Sequence, residues 1–190
     1  VLLLGNLLGL VLTFRATLES GFALMPADAG DAVLNHYFLE HTFRWASERS
    51  YPFSYWQPGF FHPTPGTFTY SETMGGVAPL YWGLRAFCTE TLAYQLFLFL
   101  VFSLNYFSMA VVLRRFGVNT LLTLGGAYLF AFGIYRVSHL AHTQLMPQFM
   151  TPFALWYACE MFREPSAKRW WLFLFWLDWQ ILASLHLGWF

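Results

Sequence analysis

The stretch from residue 91 to residue 113 most constrains what this chain can fold into. It is apolar over a length sufficient to cross the hydrocarbon core of a bilayer, and Arg114 and Arg115 follow it directly. The chain as a whole is 57% hydrophobic and 11% charged, whereas soluble domains carry about a quarter charged residues. The sequence therefore predicts an all-α, polytopic membrane protein. The formal net charge of +0 gives no indication of a nucleic-acid partner.

The whole chain, 1–190, is expected to form a single transmembrane domain. Both ends of the sequence lie inside apolar runs, so we expect a fragment of a longer protein. Residues 1–14 are apolar but short, which predicts a partial transmembrane helix. The other predicted spans are 91–113, 121–135, 145–162 and 170–190.

Residues 15–89 are too polar, and too often interrupted by proline and glycine, to cross a bilayer. An amphipathic helix is predicted over about 31–47, and a short interfacial helix over about 75–87. Between them lies a segment rich in proline and aromatic residues, expected to be an ordered loop on the membrane surface. The predicted apolar face of the first helix consists of residues at three- to four-residue steps, namely Leu34, Tyr37, Phe38, His41 and Trp45.

The basic residues predict the orientation of the chain. If 75–87 does not cross, Arg114 and Arg115 share one side with the 163–169 loop, and the positive-inside rule makes that side cytoplasmic. Segments 15–89 and 136–144 then face outward. We therefore expect Asp31 to lie close to His139 and His142.

Asp31 has two compatible interpretations. It stands before a helix-like run, where aspartate commonly caps a helix. A carboxylate fixed at such a position would also serve as a general base toward an acceptor hydroxyl. Asp28, three residues earlier, would add a second carboxylate toward a divalent cation, although a solvated turn is the simpler interpretation.

Arg136, His139 and His142 form a basic cluster at three-residue steps. A lipid-linked phosphate would suit them, because guanidinium and imidazole groups donate hydrogen bonds to phosphate oxygens. An interfacial cluster that meets lipid headgroups fits equally well. A zinc site is disfavoured because two histidines lack a clear third ligand.

Other polar residues have plainer alternatives. Glu72 would orient a substrate or cap the short helix that follows it. Gln144, Gln148 and Asn105 interrupt apolar segments, where polar side chains commonly hold helices together.

Taken in order, several short motifs resemble a known group of proteins. They are Gly30-Asp31-Ala32-Val33-Leu34-Asn35, Phe60-Phe61-His62-Pro63, Tyr70-Ser71-Glu72, Phe130-Ala131-Phe132 and Ser138-His139-Leu140-Ala141-His142-Thr143-Gln144-Leu145. This order resembles the GT-C superfamily of membrane glycosyltransferases, specifically bacterial relatives of polyprenyl-phosphate-sugar-dependent mannosyltransferases.

The resemblance implies a GT-C-like helical bundle whose long first extracytoplasmic loop carries the catalytic acid and amphipathic interfacial helices. It implies transfer of a sugar from a polyprenyl-phosphate donor to a cell-envelope glycan, lipid or protein acceptor. The active site would lie on the outer face of the inner or plasma membrane, in contact with membrane lipids. No cofactor is firmly implied, although a divalent cation is compatible.

By the same resemblance, the roles fall on particular residues of this chain. Asp31 would be the base, and Arg136, His139 and His142 would bind the donor phosphate. The expected substrate-binding residues are Asp28, Asn35, Glu72 and Gln144. The alternatives are a transporter or flippase for a lipid-linked or small anionic substrate, and a non-catalytic membrane scaffold.

Overall fold

A computed structural model describes residues 1–27, 30–61 and 63–189. The regular secondary structure of these residues is helical, apart from one isolated bridge between Ser54 and Gln57. Two short 3-10 helices, Thr67–Tyr70 and Thr143–Leu145, lie in connecting segments. The α-helices are α1 (Leu2–Thr13), α2 (Arg15–Glu19), α3 (Asp31–Ser47), α4 (Ala78–Arg85), α5 (Glu90–Arg115), α6 (Thr120–Phe132), α7 (Ile134–Ser138), α8 (Thr151–Arg163), α9 (Ala167–Ala183) and α10 (Leu185–Trp189).

Helix α5 is the centre of the molecule. Thr89 caps its start by accepting a hydrogen bond from the Leu92 backbone, and Arg114 and Arg115 occupy its last turn, where cations interact favourably with the helix dipole. Helices α1, α4, α6 and α8 all pack against it. Its fully buried residues include Tyr94, Phe97, Leu98, Val101 and Phe102.

Two helical segments among the described residues are long and apolar enough to cross a membrane. They are Glu90–Arg115 and Thr120–Ser138, which combines α6 and α7; the finding rests on length and composition. The predicted spans at 145–162 and 170–190 form shorter helices. Helix α8 begins only at Thr151, after Pro147 and with Pro152 in its first turn, and α9 ends at Ala183.

The bounds predicted for the amphipathic helix, 31–47, agree with α3, and its predicted apolar face is confirmed in part. Phe38 and His41 are buried, whereas Leu34 and Trp45 are 43% and 47% exposed. The helix also buries Ala32, Asn35, Leu39 and Thr42. The polar residues of this face form hydrogen bonds with neighbouring elements, and a pattern of apolar residues does not predict such bonds.

Helix α3 is held against α4 by the Glu40 carboxylate, which accepts several hydrogen bonds from α4. The Glu40 carboxylate accepts hydrogen bonds from the Tyr81 hydroxyl at 2.6 Å and from Arg85 Nε at 2.9 Å. Arg85 also lies over the Phe43 ring, and the Trp82 indole donates to the Thr42 hydroxyl at 3.1 Å. The predicted helix at 75–87 is therefore the short α4, packed against α3 and α5.

The aromatic loop after α3 is ordered around His41, which is 1% exposed. Its Nε2 lies 3.0 Å from the Tyr55 carbonyl and must donate, so Nδ1 accepts from the Tyr51 hydroxyl at 2.9 Å in the neutral ring. The Phe68 ring meets the imidazole edge to face. Burial lowers the pKa of His41 below its ordinary value of 6.5.

Gly76 joins the loop to the end of α9. Its amide donates to the Leu182 carbonyl at 2.8 Å, and its carbonyl accepts from the Trp179 indole at 2.8 Å. A Cβ at this position would lie 2.7 Å from the Ala183 nitrogen and 2.9 Å from the Leu182 carbonyl carbon. Only glycine permits this approach of two backbone segments.

We expect Gly76→Ala to lower the free energy of unfolding by about 1–3 kcal/mol, because the methyl group forces two backbone segments apart. Gly75→Ala is the matched control, since the nearest atom to its Cβ would be the Thr73 hydroxyl at 3.6 Å. Thermal unfolding of the purified variants, followed by circular dichroism, provides the measurement. Equal losses in the two variants would contradict the close approach.

We expect the protein to lose stability as the pH falls from about 7 to 5.5. A histidine whose folded pKa is lowered binds protons more readily in the unfolded chain, so its contribution is complete above the unfolded pKa of about 6.5 and declines below it. His41→Gln, which keeps a donor for the Tyr55 carbonyl, should reduce this pH dependence. Some should remain, because burial also lowers the pKa of His36. An unchanged pH dependence of unfolding in His41→Gln would contradict this assignment.

Candidate active site

Asp31 and His142 meet at the amino-terminal end of α5. Asp31 Oδ2 lies 3.1 Å from His142 Nε2, and the two side chains are 54% and 43% exposed. The predicted proximity of Asp31 to the His139–His142 turn is confirmed. Because a carboxylate accepts hydrogen bonds, Nε2 of His142 is the donor. Nδ1 of the same ring is buried without a hydrogen-bond partner among the described residues.

Two side chains hold the start of α3 against the turn. The Tyr94 hydroxyl, one turn into α5, lies 3.2 Å from the Ala32 carbonyl and 2.5 Å from the Thr143 hydroxyl. The Asn35 amide donates to the Asp31 carbonyl at 2.8 Å and to the Ala141 carbonyl at 3.4 Å. Asn35 is 3% exposed, and these contacts give it a positioning role. Its contact with substrate stays a prediction.

Asp31 does not occupy the capping position. Gly30 is the N-cap residue of α3, and Asp31 is the first helical residue. A carboxylate in this first turn interacts favourably with the helix dipole without acting as the cap. Of the two interpretations of Asp31, capping is therefore wrong, and its side chain points to His142.

His139 lies beside the pair. Its Nδ1 is 2.7 Å from the Tyr135 carbonyl, and its ring is 5.9 Å from the His142 ring between centroids. No hydrogen-bond partner for its Nε2 occurs among the described residues. The ring is therefore fixed at one nitrogen and able to bind a ligand at the other.

Arg136 has a different setting from the two histidines. It is 7% exposed, and its guanidinium donates to the carbonyls of Phe130 at 3.0 Å and Met146 at 2.6 Å. It also contacts the Leu145 carbonyl and the Gln148 side chain. Four of the five guanidinium N–H donors therefore have partners within the protein, and the predicted phosphate contact finds no support in these bonds.

The irregular segment that Arg136 contacts is held from other sides as well. The Asn105 amide donates to the Met146 carbonyl at 2.8 Å, and its oxygen accepts from the Gln148 backbone at 2.9 Å. The Gln180 amide donates to the Pro147 carbonyl at 2.8 Å. Asn105, predicted to hold helices together, instead anchors this non-helical segment to α5, and the Gln148 side chain accepts a hydrogen bond from Arg136 of α7.

Glu72 caps a helix, although not the predicted one. It is 6% exposed, and its carboxylate accepts from the backbone nitrogens of Leu185 at 2.7 Å and His186 at 2.9 Å. It therefore caps α10 instead of the helix that follows it in sequence. It also contacts Nδ1 of His186, a residue that sequence reasoning missed because 114 positions separate the pair.

The predicted substrate residue Gln144 shares a cavity with Glu72. The cavity has a volume of ≈ 260 Å³, and the Gln144 Oε1 atom is buried without a partner among the described residues. Asp28 lies outside the described residues, and with it the possible cation pair. The part of the chain that the structure describes contains no cluster of three or more His, Cys, Asp or Glu suited to a metal ion.

Comparison with known proteins adds no relative: no protein-family model, curated protein or solved structure matches this chain.

We expect Arg136→Lys to be destabilised by about 3 kcal/mol, because an ammonium group cannot reach carbonyls that the guanidinium reaches, and each unpaired buried polar group costs about 1–3 kcal/mol. Thermal unfolding of the purified protein provides the measurement. His139→Gln, at a partly exposed position in the same cluster, is the control and should unfold close to the parent. An Arg136→Lys variant as stable as the parent would contradict the structural role.

Proposed function

We propose that this chain is part of an integral membrane glycosyltransferase that moves a sugar from a polyprenyl-phosphate donor to an extracytoplasmic acceptor. The observation that carries the proposal is the half-exposed Asp31 carboxylate, oriented by His142 at 3.1 Å. The resemblance of the motif order to that of GT-C enzymes supports the proposal, since the resemblance assigns the base to Asp31. A fixed carboxylate near solvent is suited to take a proton from an acceptor hydroxyl.

The surface of the molecule supports a membrane location. Apolar side chains of α1 and α6 are highly exposed, including Leu3 at 68%, Leu4 at 69%, Leu121 at 77% and Leu129 at 71%. Exposed apolar surface of this kind requires a lipid or protein cover. We propose that lipid of the inner or plasma membrane covers it.

The proposed orientation places the site outside. Asp31 and His142 lie near the start of α5, whereas Arg114 and Arg115 lie at its other end. A helix of 26 residues is about 39 Å long at 1.5 Å per residue, enough to separate two membrane faces. The positive-inside rule assigns the arginine end to the cytoplasm and the Asp31 end to the extracytoplasmic face.

The proposed reaction is a single displacement at the anomeric carbon. Asp31 takes the proton of the acceptor hydroxyl while the acceptor oxygen bonds to the anomeric carbon. The bond from that carbon to the phosphate oxygen breaks, and polyprenyl phosphate leaves with the electron pair. His142 orients the carboxylate. His139 donates through Nδ1 to the Tyr135 carbonyl, so in the proposed step it meets the leaving phosphate as an imidazolium, the form that also donates through Nε2.

A transporter or flippase is the second candidate, and one observation favours it. The irregular segment 145–148 interrupts the helical path, and interrupted helices are typical of transporter binding sites. Its carbonyls at Leu145, Met146 and Pro147, however, accept hydrogen bonds from side chains of the protein. That satisfied backbone favours a structural break over an ion or substrate path, and we prefer the transferase.

We expect Asp31→Asn to reduce sugar transfer by about 10²–10⁴-fold, the usual contribution of a general base. His142→Gln keeps a donor at the position of Nε2 and should retain most activity, whereas His142→Phe should lose about tenfold or more. The measurement is transfer of labelled sugar from polyprenyl-phosphate donors in membranes that contain the full protein. Parent-level transfer by a correctly folded Asp31→Asn variant would refute the proposal, and donor translocation without transfer would favour the flippase.

A further inference from the structure

A cavity lies beside the 3-10 turn that follows His142. Its volume is ≈ 260 Å³, and it is lined from three distant parts of the chain: residues 69–72, Gln144, and residues 185–186. Six of its seven lining residues carry a polar side-chain group, in contrast to the apolar surfaces of α1 and α6. None of its lining residues is a lysine or an arginine.

His186 is positioned at this cavity by Glu72. The carboxylate lies against Nδ1 of the ring, so Nδ1 carries a proton and Nε2 of the neutral ring is an acceptor. The His186 side chain is 67% exposed, and Nε2 has no hydrogen-bond partner in the described ranges. Glu72 is held in turn by the backbone of Leu185 and His186. A buried carboxylate therefore fixes an exposed imidazole in one tautomer.

Gln144 supplies a second unused acceptor. Its Oε1 atom is buried, yet it has no hydrogen-bond partner among the described residues. An unpaired buried oxygen costs about 1–3 kcal/mol, and a bound water or ligand that donates to it is one way such an atom is satisfied in native proteins. The Gln144 side chain lines the same cavity as His186.

The chemistry of these groups selects the kind of ligand. His186 Nε2 and Gln144 Oε1 both accept hydrogen bonds, and Glu72 adds negative charge. A phosphate offers further acceptors and negative charge, so it is disfavoured here. A neutral ligand with several hydroxyl donors is favoured, and the exposed Tyr70 ring at the rim offers an aromatic face to its C–H groups.

We propose that this cavity is a sugar subsite that binds the hydroxyl groups of a pyranose ring through His186 Nε2 and Gln144 Oε1, with Glu72 as the residue that positions His186. The inference rests on the proposed function in taking the ring to belong to a transfer substrate. It is otherwise separate from the Asp31–His142 pair, which handles the proton. The donor sugar and a sugar acceptor both carry the ring hydroxyl groups that such a subsite would bind.

The test measures binding of methyl glycosides of mannose, glucose and galactose to the full protein in detergent, by saturation-transfer NMR, with inorganic phosphate as the contrasting probe. We expect at least one glycoside to bind more tightly than phosphate. Gln144→Leu and His186→Asn should each weaken that binding about tenfold, as expected for one lost hydrogen bond of about 1.4 kcal/mol. His186→Asn retains a donor for Glu72 and lacks the acceptor at Nε2. This variant therefore still tests the subsite if Gln144→Leu fails to fold.

Asp31→Asn separates this inference from the proposed function. It should reduce transfer by about 10²–10⁴-fold while leaving glycoside binding at the parent value. Glycoside binding that the two cavity variants weaken would support the subsite even if the protein transferred no sugar. Displacement of the glycoside by polyprenyl-phosphate sugar supports the donor ring as occupant, and undisturbed binding beside it supports the acceptor ring. The subsite is overturned if the parent binds no glycoside, if phosphate binds more tightly, or if both cavity variants bind glycoside like the parent.

Discussion

The rest of the structure depends on how one irregular backbone segment, 145–148, satisfies its carbonyls inside an apolar molecule. Buried carbonyls without donors are costly, and more so in lipid than in a protein surrounded by water. Arg136, Asn105 and Gln180 reach the segment from three helical elements and supply the donors. These hydrogen bonds fix α5, α7 and α9 relative to one another, and they thereby hold the 139–145 turn in a defined position.

The candidate active site follows from that placement. The turn presents His142 toward α3, and Tyr94 joins the Ala32 carbonyl to Thr143 from within α5. Asp31 is therefore positioned by its helix and by its histidine partner, with no contribution from a capping bond. Segment 145–148 and the histidines of the site lie next to each other along the chain, but their roles differ. Arg136 supports the backbone, whereas the two histidines remain accessible for chemistry.

Local patterns predicted local structure well and contacts poorly. The 31–47 helix was predictable because its residues favour helix between two breaks. Its buried face was predictable only in part, because Asn35 and Thr42 are buried through partners on other elements. Glu72 shows the same limit. Its sequence neighbourhood indicates a cap, but the helix it caps begins more than a hundred residues later. The helix in the 170–190 run breaks at Ser184, but residues 170–183 contain no proline or glycine that would predict the break.

The sequence by itself determined the helical class, the apolar central helix with its arginine end, and the prediction that Asp31 and the His139–His142 turn share one face. These follow from composition, run length and charge placement, which act locally or through simple topology. Only the tertiary structure decided that Asp31 pairs with His142, that Arg136 serves the backbone, and that Glu72 orients His186 beside Gln144. The physical reason is that a polar side chain in an apolar interior takes whichever partner lies within hydrogen-bond distance, and distance in space is set by packing, whatever the separation along the chain.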